Sequence, residues 1–313
     1  MLIDAPAPDM ILLQTPPGLP LLPVALLAAR LRGSAVIVDW HNLGWTLLAL
    51  RFGATHPLVR FTRWAELWFG RRAPYHLAVS QRVADFLGTQ GIREPLVLHD
   101  GPSELRPMPS TRDDLPREPV TVVAPMGWSS DDDLSLLSEA LGLLSRRIAL
   151  GSPRCRKLRV LVSGHGPRRL EWAQQLRALS GPTMLVETPD VPPEEYPQLL
   201  AASHLGLSVH RSASGMDLPM KVIELRAVGV PAFILNDGSP LDEIAPAGCG
   251  VRRYGGAPEL AELLYGVLVE DERALPSLEL LRAEARAHPP TPWDERWTFT
   301  MQRFTSAISR RSR

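Results

Sequence analysis

The stretch LGLSVHRSASGMDLPMKVIELRAVGVPAFIL, residues 205–235, decides the fold of this chain. LGLSV is a short apolar run with no polar alternation, the composition of a strand covered on both faces of a parallel sheet. A Ser/Gly loop follows at 212–215, then a helix-period segment, a Gly-Val-Pro break at 229–231 and a second apolar run, PAFIL. Pro219 suits the first helical position and Gly229 the far end, which frames a helix of about ten residues. Strand, loop, helix and strand in that order make a βαβ unit.

The same alternation extends in both directions. In the first third, strands are expected near 10–14, 35–39, 76–79 and 96–99, with helices around 20–31, 57–70 and 81–89. Residues 101–118 hold four prolines among mixed charges and read as an interdomain linker. Beyond it the pattern restarts, with strands near 119–124, 158–163, 183–187, 205–209 and 231–235. A helix over 131–147 carries leucines at 134, 137, 141 and 144, a core-facing stripe, and Ser129 with Asp132 forms a capping-box signature at its start. The chain thus reads as α/β, with two doubly wound domains facing a cleft. Its boundaries are 1–105 for the first domain, 106–118 for the linker, 119–285 for the second, and 286–313 for a C-terminal helix packing back on the first. The first strand begins almost at Met1, so the first domain reads as incomplete at its N-terminus.

Composition narrows the classes. At 313 residues, with 45% apolar and 22% charged residues, the chain can bury ordinary cores. Zero formal net charge argues against nonspecific nucleic-acid binding. Cys155 and Cys249 match neither a metal nor a redox spacing. The longest apolar stretch, about thirteen residues from Leu19, falls short of the ~20 that a transmembrane helix needs. MLIDAPAPDM shows no basic n-region followed by an apolar h-region, so no signal peptide is expected. Of the 34 basic residues only Lys157 and Lys221 are lysines, which singles out Lys221 in the opening stretch.

Ser212, Ser214 and Gly215 form a small loop whose N–H groups can approach an anion, at the carboxyl edge of a strand. The helix behind it offers free N–H groups and partial positive charge, a phosphate seat. Lys221 falls in its first turn and can add a point charge to a diphosphate. Glu224, one turn on, can accept from two vicinal ribose hydroxyls. An ordinary capped surface helix with an i, i+3 Lys–Glu pair gives the same spacing. VSGHGP, residues 162–167, places Gly164 and Gly166 in a second strand-to-helix turn, a pattern that a plain tight turn shares. VDWHN, residues 38–42, ends a strand with Asp39 and His41; His41 is a usable general base near neutral pH, and Asp39 can orient it or act as the base itself. Capping by Asp or Asn beside a packed Trp is the bland alternative. Asp131–Asp133 match the metal-binding D-x-D pattern, but they open a leucine-striped helix where acids favour the dipole, so no metal role is expected. Residues 51–72 combine five arginines, two Trp and three Phe with one acid. That suits either a lipid headgroup interface or a partly buried amphipathic helix. PWDERW, 292–297, reads as a packing element anchoring a C-terminal helix.

PPGLP (16–20), VDWHN, HPLV (56–59), WSSDDDLSLL (128–137), SGHGP (163–167), EEYPQLLAASHLGLSVH (194–210), SGMDLPMKV (214–222) and WDERW (293–297) together resemble the chitobiosyl-diphosphodolichol β-mannosyltransferase family, in order along nearly the whole chain. The resemblance implies the two-Rossmann GT-B fold and an inverting glycosyltransferase. It would move mannose from GDP-mannose to a polyprenyl- or dolichyl-diphosphate-linked saccharide at the cytosolic face of a membrane. It puts Lys221 at the diphosphate, Glu224 at the ribose, and Ser214, Gly215, Asp217, Gly164 and Gly166 around the donor. Asp39 and His41 become the candidates for general base. No cofactor or obligatory metal is expected, and the membrane surface is a partner. Two departures stand out. Counting back from Glu224, Met216 occupies the first acidic position of the E-x₇-E of broader relatives, with Asp217 one residue late. The first strand-helix unit and membrane anchor are also missing, which leaves a misplaced start, a fragment or a partner subunit as explanations. The rival functions are a non-catalytic glycosyltransferase-like protein and a retaining GT-B transferase with another nucleotide sugar.

Overall fold

The computed structural model describes residues 6–102, 118–151, 155–269 and 277–311, with side chains as far as residue 306. All of the expected linker 106–118 except Glu118 lies outside the described residues. The chain divides into two compact units. One holds residues up to Asp100 with Ser212–Leu218 and the segment from Pro292; the other holds Gly101–Arg211 with Pro219–Thr291.

The first unit runs β1 (Met10–Thr15), α1 (Leu21–Arg32), β2 (Ala35–Trp40), α2 (Gly44–Phe52), α3 (Pro57–Gly70), β3 (Tyr75–Ala78), α4 (Gln81–Thr89) and β4 (Leu96–Val97). Its four strands are parallel, in the order β1–β2–β3–β4. Each crossover steps the same way along the sheet, so right-handed connections put these helices on one face. The pleat then sorts the core. Val36, Val38 and Trp40 pack on the helix side with Leu22, Leu43 and Leu67. Ile37 and Leu77 point the other way, onto Trp297, Met301 and Phe304 of the C-terminal helix Trp293–Arg311. Helix α2 has no clear mark in the sequence, because GWTLLALRF is short and starts after Leu43, which offers no side-chain cap.

The second unit continues with β5 (Val120–Pro125), α5 (Leu134–Ala149), β6 (Leu158–Ser163), α6 (Arg169–Arg177), β7 (Met184–Glu187), α7 (Tyr196–Ala201), β8 (Leu205–Ser208), α8 (Met220–Ala227), β9 (Ala232–Leu235), β10 (Val251–Tyr254), α9 (Ala257–Val269) and α10 (Leu278–Ala287); the C-terminal helix is α11. Its six parallel strands lie in the order β10–β9–β8–β5–β6–β7. This is the doubly wound order, and the winding reverses between β5 and β8. The leucine stripe 134, 137, 141, 144 is buried, as its period requires.

Three local expectations need correction. Helix α5 starts at Leu134, because the Asp133 carboxylate accepts from Leu136 N at 3.0 Å and takes the N-cap. Ser129 only accepts from Asp131 N at 3.4 Å, so the Ser129–Asp132 capping box does not form. Pro219 is the extended N-cap of α8, not its first helical residue, and Lys221 is therefore the second residue of an eight-residue helix. Strand β10, VRRY, is hard to read from sequence because two arginines interrupt its apolar pattern. Each has an acid partner, Arg252 with Glu284 at 3.1 Å and Arg253 with Asp242 at 2.5 Å.

Candidate active site

In a doubly wound sheet, ligands bind outside the carboxyl ends of the strands where the winding reverses. In the second unit this point lies past β5 and β8. The Gly-His-Gly turn after β6 presses on the chain leaving β5. A Cβ on Gly164, at φ +121°, would stand 2.0 Å from the Met126 carbonyl oxygen, and one on Gly166 would stand 1.9 Å from that of Gly127. These glycines are required by backbone-on-backbone packing. Trp128, next along, is fully buried at φ +47°, a conformation that costs a bulky residue about 1–3 kcal/mol. Its carbonyl accepts from Arg168 N at 2.9 Å, which ties β5's exit to α6.

Residues 131–133 then cross the end of β8. Asp133 N donates to Val209 O at 3.0 Å, and Arg211 N donates to Asp131 O at 2.7 Å. The crossing drives Asp132 inward, where its carboxylate, 1% exposed, forms an ion pair with Lys221. The three consecutive acids therefore divide their roles. Asp133 caps α5, and Asp132 holds the ammonium that rarity singles out in the sequence. Three residues on, Glu224 accepts from the Tyr196 hydroxyl at 2.8 Å. Burial pushes the Glu224 carboxyl above its ordinary range, against the Tyr196 hydrogen bond and the Lys221 charge, which pull it down. Burial, with the adjacent Glu224 charge, holds the Tyr196 phenol well above its ordinary value, so it remains a donor.

The loop Ser212–Leu218 belongs to the first unit. Ser212 and Ser214 hydroxyls both donate to Asp217, the latter at 2.8 Å, and Met216 N donates to Ser214 Oγ at 3.1 Å. Ser80 Oγ donates to Met216 O at 2.7 Å and Arg82 to Gly215 O at 2.9 Å. The Met216 side chain packs against that unit's core. Of the donor-side candidates, Gly164, Gly166, Lys221 and Glu224 thus lie in one unit. Ser214, Gly215 and Asp217 lie in the other, with Asp217 organising its own loop.

Asp39 and His41 close β2 at the carboxyl edge of the four-stranded sheet. His41 Nδ1 is 3.0 Å from Asp39 Oδ2, and Nε2 is 3.1 Å from Asp100 Oδ1. Burial alone would lower the His41 pKa; the hydrogen bonds and charges of Asp100 and Asp39 together raise it from 6.5 to about 10. The two carboxylates thus favour the protonated, cationic form of the ring. Trp40 Nε1 donates to His76 Nδ1 at 3.2 Å, and His76 Nε2 lies 3.1 Å from Ala73 O. Burial lowers the His76 pKa to about 4, so that ring is neutral. Glu66, 1% exposed, accepts from Gly44 N at 3.1 Å where α2 begins.

Sequence patterns do not single out Asp132, Tyr196 and Asp100 as the partners of Lys221, Glu224 and His41, nor the buried Glu66. Asp100 had a usable signal, since LVLHD ends a strand with an acid just as VDWHN does. The inward turn of Asp132 and Glu66 had none, because burial of a lone acid leaves no mark on linear spacing.

The chain matches the glycosyl transferase 4-like domain family over residues 1–100 and the glycosyl transferase-like family over 146–301. It is 34% identical over 311 residues to the chitobiosyldiphosphodolichol beta-mannosyltransferase of Arthroderma benhamiae, covering 92% of this chain and 69% of that protein. Against the human protein of the same name it is 27% identical, over 93% and 71%. The chain spans between 65% and 71% of the length of these relatives and that of Yarrowia lipolytica. Among solved structures, Anabaena Alr3699/HepE in complex with UDP aligns with a TM-score of 0.70 at 16% identity, over 97% of this chain and 80% of that one. At that identity the likeness shows the fold alone, two Rossmann-like parallel sheets.

Proposed function

The chain belongs to the chitobiosyldiphosphodolichol beta-mannosyltransferase family of GT-B glycosyltransferases, and on that premise we propose that it transfers mannose from GDP-mannose to a saccharide carried on a polyprenyl or dolichyl diphosphate, inverting the anomeric carbon. The observation that carries the donor assignment is the Asp132–Lys221 pair in the first turn of α8, beside the point where the second sheet reverses. An ammonium anchored by a buried carboxylate keeps its direction, and it still has two donors for a diphosphate. Helix N–H groups beside it add to the stabilisation of the leaving group, so the charge of departing GDP falls on α8 and Lys221. Glu224, fixed by Tyr196, has a second oxygen for the ribose hydroxyls. The role assigned to Lys221 needs neither a cofactor nor a metal. Removing Lys221 takes away a bond to a charged group, so Lys221→Ala should weaken GDP-mannose binding by about 1.5–3 kcal/mol, roughly 10- to 100-fold. Calorimetric titration checks this, and an unchanged affinity would overturn the assignment.

The acceptor's lipid calls for a surface, and the first unit offers one. Val24, Leu27 and Leu31 on α1 and Leu58, Phe61 and Trp64 on α3 are exposed. From Met10 to Arg72 the only acids are Asp39 and Glu66, both buried, while Arg30, Arg51, Arg60 and Arg63 are exposed. Exposed apolar groups among cations and no exposed anions are suited to anionic headgroups. No described helix is long and apolar enough to cross a membrane. We therefore place the α1–α3 face on the cytosolic surface of the bilayer that carries the acceptor.

A further inference from the structure

Both ring nitrogens of His41 lie close to carboxylate oxygens: Nε2 hydrogen-bonds Asp100 at 3.1 Å, and Nδ1 is 3.0 Å from Asp39 in an ion-pair contact that lacks hydrogen-bond alignment. The Asp39 carboxylate beside Nδ1 adds a second negative charge to that of Asp100, so the pair of acids favours the imidazolium over either neutral tautomer. The cluster is then two carboxylates around one cation, with net charge −1 and no free lone pair on nitrogen. A proton arriving from a substrate must go to a carboxylate oxygen.

We propose that Asp100 accepts the proton of the acceptor hydroxyl during transfer, and that His41 is the cation that positions it. The proposal rests on the transferase reading above. Asp100 is the better placed of the two acids. Its side chain is 22% exposed against 11% for Asp39. Asp39 lies within β2, registered between Gln14 of β1 and Leu77 of β3. Asp100 instead follows β4, beyond the carboxyl edge of the sheet, where α/β folds receive ligands. Arg296 steadies it from behind, one guanidinium nitrogen lying 3.5 Å from the Asp100 carbonyl oxygen.

The step balances on these groups. A lone pair of the acceptor hydroxyl oxygen forms the bond to the anomeric carbon. The bond from that carbon to the diphosphate oxygen breaks, and its electron pair leaves with GDP. The hydroxyl proton passes to an Asp100 oxygen, bringing the cluster from −1 to neutral while His41 keeps both of its protons. The proton then leaves to solvent.

The test compares the full chain with its Asp100→Asn, Asp100→Ala and Asp39→Asn variants. The substrates are GDP-mannose and a short-chain polyprenyl diphosphate chitobiose, and donor binding is measured in parallel as a control for folding. Loss of a general base costs about 10²–10⁴ in rate, so Asp100→Asn should lose that much kcat with donor KM unchanged. Formate should restore part of the Asp100→Ala activity, which a structural role would not allow, and Asp39→Asn should keep more kcat than Asp100→Asn. Near-wild-type kcat in Asp100→Asn, or a larger loss in Asp39→Asn, overturns the proton role alone. Absence of transfer by the wild-type chain overturns the transferase reading and this proposal with it.

Discussion

Glu66 is the single acid among the five arginines of residues 51–72, and it points inward. Burial raises its pKa from 4.5 to about 7, against hydrogen bonds from the backbone of Gly44, Gly18 and Trp45 that pull it down. The native carboxyl therefore holds its proton more tightly than the unfolded chain does. The stability tied to it is present below pH 4.5 and is lost as pH rises through about 7. Thermal unfolding should show the first unit weakening across that window. Glu66→Gln, which keeps an acceptor and cannot ionise, should flatten the decline; an unaltered pH slope in that variant would refute the link. At this scale the sequence is a partial guide. Lys221 and Glu224 stand out by rarity and spacing, and the structure fixes both through partners. Those partners, Asp132 and Tyr196, come from elsewhere in the chain, and no local pattern reports such a meeting. Met216 illustrates the converse: it replaces an expected acid and packs as an apolar residue.

The strands and most helices of the first unit are legible because each is a continuous apolar run or a clear helical stripe. Helix α3 runs over Pro57–Gly70, the span its pattern predicts. The same stripe leaves two readings open, buried or lipid-facing. Val59, Thr62, Ala65 and Glu66 face the core, whereas Leu58, Phe61 and Trp64 stay exposed beside Arg60 and Arg63. Burying one such side chain in a headgroup interface is worth about 1.5–3 kcal/mol. Cosedimentation should therefore show binding to vesicles rich in anionic lipid, weaker with zwitterionic lipid and at high salt. Phe61→Glu with Trp64→Glu should reduce that binding at least roughly 100-fold, on the same burial estimate applied twice. Equal binding by this double variant would remove α3 from the interface. The elements that sequence patterns do not mark have physical reasons of their own. Helix α2 is short and lacks a capping residue, and β10 hides its alternation behind paired arginines.

Across the molecule, α/β alternation is readable from residue 10 to residue 235, and that alternation alone dictates the fold class. Strand order is not readable, since an apolar run does not say which neighbour it takes. The reversal between β5 and β8, beside which the donor is proposed to bind, emerges only from the pairing of the strands. Family membership supplies what neither provides, a substrate class. In the proposed reaction Lys221 would meet the donor and Asp100 the acceptor hydroxyl. The most direct measurement is transfer itself. The chain would be incubated with a panel of nucleotide sugars and a polyprenyl diphosphate chitobiose, and the anomeric configuration of the product read by proton NMR. GDP-mannose should be the productive donor, the new linkage should be β, and chelation of divalent metal should leave the rate unchanged. Donor binding without transfer from any nucleotide sugar, or a product of α configuration, would contradict an inverting mannosyltransferase.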